Sequence, residues 1–268
     1  MPNSFLYLNG LSVPRVVNLT DTVELRPAVG VSDNLALKLA TCSEDAAVYL
    51  LTLPRITSEL RITSANEEDL APDVWNAGWD ALLLGAVFAC PIDWPIESEC
   101  SAADVNSDSS LRVTQHHLHG WRHAPHTASE EDCAWLDEHF VKARAFLKDE
   151  IFRNAVHCLA SFHWHPHPRP RLALLWAGIE ALFDIDSELS FRLSLLAARF
   201  LEPNDRDAAR VLFTQIKDLY KVRSKAVHGG RMKGDTQKLI GNSAALLQRL
   251  LRRCIETESL PVAEELVL

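Results

Sequence analysis

The 268-residue chain lacks several features that would place it in a specialised class of protein. It contains 10 glycines and 13 prolines, too few for a collagen-like or low-complexity chain. Its longest apolar run, residues 81–90, is far shorter than the roughly 20 residues that span a bilayer. The apolar run at residues 5–8 is too short for the core of a signal peptide, and no basic residue precedes it. We therefore expect a cytoplasmic globular protein that makes no contact with a membrane.

The sequence also lacks a Cys-x-x-Cys pair, and its six cysteines are scattered along the chain. This distribution is typical of buried thiols in a reducing compartment rather than of a disulfide framework. Hydrophobic residues make up 47% of the chain, so a protein of this length can bury a core without disulfides or metal ions. We expect no cofactor and no metal site.

The net charge of −9 lies entirely in the N-terminal part of the chain. Residues 1–128 contain 7 Lys or Arg against 16 Asp or Glu, whereas residues 129–268 contain 20 of each. Within the neutral part, residues 217–238 carry seven basic and two acidic side chains. The overall acidity argues against a general nucleic-acid coat protein, but the local basic stretch leaves a phosphate site open. The alternative is that this basic stretch forms a solvated surface and binds no phosphate.

The first part of the chain shows the pattern of strands and turns. Short β-branched and aromatic runs broken by Asn-Gly and Pro predict strands at residues 5–8, 13–25, 46–53, 59–63 and 111–121. A helix is predicted at residues 69–90, with Pro72 in its first turn and a stripe that begins with Trp75 and Trp79. We therefore predict an α+β protein, with a mixed α/β region at residues 1–128.

Residues 129–268 show helical signals throughout. Ser129 with Asp132 resembles a capping box, Asp149 begins a helical run, and Asn204 is a predicted N-cap. Further helices are predicted at residues 171–184, 190–201, 205–222 and 243–255. The short connections between them are typical of an all-α helical bundle, which we predict for residues 129–268.

Glu180 is the one acidic residue in the apolar segment 171–183. An unpaired carboxylate would be costly among apolar side chains, so we expect a cation beside it. Arg192, Arg199 and Arg223 are candidates, of which Arg199 and Arg223 are favoured. Such a pair either fixes the register of two helices or orients a catalytic side chain.

Arg223 and His228 lie five positions apart, directly before Gly229-Gly230. Arginine offers a planar fork of donors that suits phosphate, and histidine exchanges a proton near neutral pH. On an ideal helix the two would lie about 140° apart. They serve one site only where the helix ends or bends between them, or where a second chain contributes its own copy. Ser224 is a candidate donor to phosphate, and Lys221, Lys225 and Arg231 are candidate cations for contacts to phosphate groups.

The order of three segments resembles the HEPN (higher eukaryotes and prokaryotes nucleotide-binding) domain family, and most closely its Apea-like branch. The segments are RLALLWAGIEALF at 171–183, SFRLSLLAARFL at 190–201 and LYKVRSKAVHG at 219–229. The resemblance covers about half of the chain, roughly residues 130–257.

The resemblance implies a helical bundle that forms a homodimer around two Arg-x4-His segments. Many family members are metal-independent endoribonucleases of toxin–antitoxin, antiphage defence or RNA-processing systems. Carried onto this sequence, the motif's residues are Arg223 and His228. We expect Glu180, Ser224 and Arg199 to support them. RNA-cleaving members often have Asn, Asp or His where this chain has Ser224. An antitoxin or a nucleotidyltransferase is an expected partner.

Two other functions remain open at this point. A non-catalytic HEPN module would dimerise and bind a nucleotide or a protein partner. A His-dependent metalloprotein would use the dense histidines at 116–126 and 163–167, although their spacing matches no zinc motif. The seven tryptophans are expected to serve packing in cores or interfaces more often than base stacking.

Overall fold

The computed structural model describes residues 1–41, 43–116, 123–183, 185, 189–227, 235–263 and 266. The chain divides into two compact units, Met1–Arg144 and Ala145–Leu268. Strands lie in the first unit, and the described part of the second is helical, so the α+β class is confirmed. The described helices include none with the length and apolarity needed to cross a membrane.

The first unit is built on a six-stranded antiparallel sheet. The strands of this unit are β1 (Asn3–Asn9), β2 (Leu11–Ser12), β3 (Val17–Asn18), β4 (Val23–Pro27), β5 (Ser58–Thr63), β6 (Asp93–Ser98), β7 (Leu111–Val113) and β8 (His126–Thr127). The sheet has the order β3-β4-β5-β1-β6-β7, and β2 pairs with β8 in parallel. Gly10 turns the chain between β1 and β2 at φ +101°, where a Cβ would lie 2.0 Å from the Pro91 carbonyl oxygen. That turn therefore requires glycine.

Four helices of the first unit are α1 (Asp33–Ala40), α2 (Ala46–Thr52), α3 (Glu67–Val87) and α4 (Glu130–Phe146). The predicted strand at 46–53 is wrong, because this segment is α2. Its buried residues Val48, Tyr49 and Thr52 follow helical spacing, which a short apolar run does not distinguish from a strand. The strand predicted at 111–121 ends at Val113, and residues 117–122 lie outside the described part.

Side-chain caps fix where the long helices of this unit begin. Asn66 accepts a hydrogen bond from the Asp69 amide at 2.9 Å, so α3 starts at Glu67 and Pro72 lies in its second turn, not its first. The capping box before α4 is confirmed by reciprocal bonds between Ser129 and Asp132 at 3.0 and 3.1 Å. The division between the units falls near the end of α4, rather than before it as the sequence suggests.

The second unit contains α5 (Glu150–Ser161), α6 (Pro168–Ala181), α7 (Leu189–Leu201), α8 (Arg206–Val227) and α9 (Thr236–Thr257). Asp149 caps α5, as predicted. Asp205 rather than Asn204 caps α8, by accepting from the amides of residues 207 and 208. The apolar α6 packs against α5, α8 and α9, which confirms its predicted central place.

Candidate functional site

The packing of α6 against α8 positions the two most suggestive side chains. Trp176 and Ile179 of α6 are fully buried, and Glu180 follows them at the C-terminal turn. On α8, the buried Ile216 and Tyr220 lie one turn apart, and Arg223 follows three residues later on the same face. The apolar stripe of α8 packs against α6. Arg223 lies on the same face of α8 as this stripe, so its side chain is directed toward α6.

Glu180 and Arg223 form an ion pair between these helices. Nη2 of Arg223 donates to Oε2 of Glu180 at 3.0 Å and lies 3.0 Å from Oε1. The arginine side chain is 16% exposed and the carboxylate 24%. A cation beside Glu180 is therefore confirmed. Arg199 instead donates from Nη1 to the Leu266 carbonyl oxygen at 2.6 Å.

Aromatic side chains connect this pair to the core of the unit. The guanidinium carbon of Arg223 lies 5.5 Å from the centre of the Tyr220 ring. Trp176 meets the same ring edge-on at 5.3 Å and donates its indole N–H to Ser243 at 3.1 Å. Cation–π and edge-to-face contacts of this kind restrict a guanidinium more than an ion pair alone. Arg223 is thus held by Glu180 and by Tyr220.

Burial shapes the ionisation of the groups around Arg223. It raises the pKa of Glu180, while the Arg223 charge and a hydrogen bond with the Tyr220 hydroxyl lower that pKa. Burial, followed by the neighbouring carboxylate charge, raises the pKa of Tyr220. The tyrosine therefore remains a neutral hydrogen-bond donor at neutral pH. Together the three side chains present a fixed cation whose Nε atom is buried and makes no hydrogen bond.

Replacing Glu180 with glutamine is expected to destabilise the protein by about 1–3 kcal/mol, because the half-buried Arg223 loses its counter-charge. Chemical denaturation of the full chain measures this loss. The matched control is Glu202→Gln, which removes a carboxylate from the more exposed pair with Arg249 and should change stability by less than about 0.5 kcal/mol. Equal stability of Glu180→Gln and wild type would show that the ion pair makes no net contribution to the free energy of unfolding.

The other predicted site residues fall into two groups. Ser224 is half-buried on α8 directly after Arg223, and the exposed Lys221 pairs with Asp218 at 3.0 Å. The side chain of Lys225 and all of His228, Gly229, Gly230 and Arg231 lie outside the described residues. The helix continues through Val227, so Arg223 lies in its last turns rather than after its end.

The histidine-rich segments do not converge in the described part of the chain. His116 contacts Asp45 at 2.9 Å, His126 stacks on Phe88 and His163 packs against Phe162. Across the described ranges, no three His, Cys, Asp or Glu side chains form a group that could hold a metal ion. His117 and His119 lie outside those ranges.

Sequence reasoning missed two features near Arg223. Tyr220 is not among the predicted site residues, although its place three residues before Arg223 signals contact on one helical face. A groove of about 630 Å³ between α8 and α9 was also missed, because it depends on how the two helices diverge. Its lining includes Ile216, Leu219, Val222, Leu239 and Leu246, with Asp218 and Arg249 among its polar residues.

Comparison with protein-family models, curated proteins and solved structures found no match to this chain.

Proposed function

We propose that the C-terminal unit is a cytoplasmic HEPN-type domain that cleaves RNA without a metal ion, in a toxin or antiphage defence system. The observation that carries the proposal is the fixed Arg223 cation at the end of α8, five residues before His228. A guanidinium oriented by Glu180 and Tyr220 suits the stabilisation of charge on phosphate. An antitoxin or a nucleotidyltransferase remains the partner proposed for such a system.

The chemistry needs three groups that side chains can supply. Attack by the substrate's 2′-hydroxyl requires a base at that oxygen, an acid at the leaving 5′-oxygen and a cation for the developing charge. One histidine cannot serve as both acid and base in the same step. A two-fold dimer would supply His228 and Arg223 twice around one cleft, with Lys221, Lys225, Ser224 and Arg231 along the RNA backbone.

The groove between α8 and α9 supports such a homodimer. Its apolar lining begins beside Arg223, at Val222 and Leu219, so a second copy seated there would bring its own helix to the same cleft. We expect light scattering at micromolar concentration to give the mass of a dimer. Leu219→Glu should shift that mass toward the monomer, because it places a charge in the apolar lining. A wild-type protein that is monomeric under these conditions would contradict the composite site.

Incubation of the purified chain with mixed single-stranded RNA tests the proposed activity. Cleavage should continue in EDTA, because the acid, base and cation are all side chains. The products should end in a 2′,3′-cyclic phosphate, since the nucleophile is the substrate's own hydroxyl. Cleavage that stops in EDTA, or that leaves other ends, would contradict the proposed mechanism.

A non-catalytic module is the second candidate, and the Arg223 contacts favour it in one respect. Both carboxylate oxygens of Glu180 lie 3.0 Å from Nη2, as in a purely structural ion pair. In that case the chain would bind RNA or a nucleotide without cleaving it. Filter binding followed by gel analysis of the retained RNA separates the two candidates, because the non-catalytic module would bind the strand and leave it uncut.

A further inference from the structure

Two tryptophans on α3 are exposed to solvent in the first unit. Trp75 is 79% exposed and Trp79 is 39% exposed, and they lie one helical turn apart. The sequence places them at the start of the α3 stripe, and at these two positions the stripe is open to solvent. By contrast, Trp176 in the second unit is fully buried. Two neighbouring indoles left in water are unusual, since large apolar patches on proteins mark interaction surfaces.

The packing of α3 explains why only its first half is open. Val74 and Ala77 are buried on the side of the helix that faces the sheet, where α3 contacts β1, β5 and β6. The later segment Ala81–Val87 is buried on every side. Trp75 and Trp79 therefore lie where the helix has one free face.

A carboxylate shares the free face with the two indoles. Glu68 precedes Trp75 by seven residues and Trp79 by eleven, which places all three on one side of the helix, with the exposed Pro72 between them. The helix carries five acidic residues and no Lys or Arg. Residues 1–128 as a whole have 7 basic against 16 acidic side chains.

This combination of charge and aromatic surface selects the partner. Phosphate groups of RNA or of an anionic membrane would be repelled by the carboxylates. A guanidinium or ammonium group would be attracted twice, by the negative faces of the indole rings and by Glu68. Arginine in particular can lie flat on an indole while its edge donates to a carboxylate.

We propose that the face formed by Glu68, Pro72, Trp75 and Trp79, the tryptophan face, docks an arginine- or lysine-bearing segment of a partner protein. This surface lies in the first unit and is independent of the RNA-cleavage proposal for the second. It assigns the acidic N-terminal region a role in recognition, which composition alone did not reveal.

Calorimetric titration of the full chain with a synthetic peptide of alternating arginine and glycine tests the proposal. The wild type should bind this peptide and should not bind the matched peptide of alternating glutamate and glycine. Trp75→Ala/Trp79→Ala should weaken binding at least about tenfold, because both cation–π partners are lost. Glu68→Gln should weaken it about two- to fivefold. Trp164→Ala, which removes a partly exposed tryptophan of the second unit, should bind like wild type.

Trp75 is 79% exposed, so Trp75→Ala alone should keep the wild-type melting temperature and its lost binding reports the face itself. Trp79 is partly packed at 39% exposure, so binding by the double variant is read beside its melting temperature. Equal affinity of wild type and the double variant would overturn the proposal, as would a wild type that binds no arginine peptide. Oligouridine that binds the wild type but not the double variant would assign the face to nucleic acid instead. A dimer mass that falls to the monomer in the double variant would assign it to a second copy.

Discussion

Replacing His228 with alanine is expected to lower the rate of RNA cleavage by about 10²-fold or more, because the variant loses its group for proton transfer. Replacing Arg223 with alanine should cost a comparable factor through lost stabilisation of the charged transition state. Initial rates on a defined single-stranded RNA in EDTA measure both effects. Activity that survives both changes would place the chemistry elsewhere in the chain.

The two variants need different controls, because Arg223 also holds Glu180. Arg223→Ala would destabilise the unit as well as the transition state, so its rate must be read beside its melting temperature and its mass. Arg223→Lys keeps the charge but loses the planar fork, and we expect it to retain the fold with reduced activity. Arg210→Ala removes an exposed charge from the same helix and should leave the rate unchanged.

The pairing of Glu180 shows how far sequence reasoning extends to a site. A lone carboxylate in an apolar segment required a cation, whichever fold the chain adopted. Whether Glu180 pairs with Arg223 or with Arg199 depends on how α8 is rotated about its axis. That rotation is fixed only when the buried stripe of α8 packs against the neighbouring helices. The aromatic contacts of Tyr220 depended further on the distance between two helices, which no local pattern encodes.

The predictions of helices and strands show the same contrast between features set by neighbouring residues and features set by packing. Asp149 and Ser129 cap helices as predicted, because a cap is decided by residues within one turn. The strand predicted at residues 46–53 is instead α2 (Ala46–Thr52), because so short a run of apolar and small residues satisfies either periodicity. The exposure of Trp75 and Trp79 escaped prediction for a related reason: a stripe shows which residues share a face, but not whether that face is covered.

Asp80 illustrates a long-range feature that the sequence hides. It lies on α3 between Trp79 and Ala81 and is completely buried, with Nε of Arg144 on α4 3.0 Å from Oδ1. The contact is not directed as a hydrogen bond, and neither carboxylate oxygen has another hydrogen-bond partner. Burial raises the pKa of Asp80 to about 7, although the Arg144 charge opposes this rise. The partners are far apart in sequence, so no local pattern could pair them.

Asp80→Asn is expected to stabilise the protein increasingly as pH rises from about 4 to about 7. In this interval the unfolded chain has released the Asp80 proton while the folded chain still holds it, so the stability of wild type falls with rising pH. The asparagine does not titrate and avoids this loss. The gain over wild type should be near zero at about pH 4 and reach at most about 4 kcal/mol at about pH 8.

Urea denaturation of wild type and Asp80→Asn at both pH values measures this difference and cancels the contribution of the other carboxyls. Asp21→Asn, which removes an exposed carboxyl, is the matched control for the loss of one carboxylate charge. Arg144→Gln should lower stability at about pH 8, because it removes the cation that opposes the rise in the Asp80 pKa. A gain from Asp80→Asn that is equal at both pH values would mean that the buried carboxyl is ionised throughout, with Arg144 compensating its charge fully.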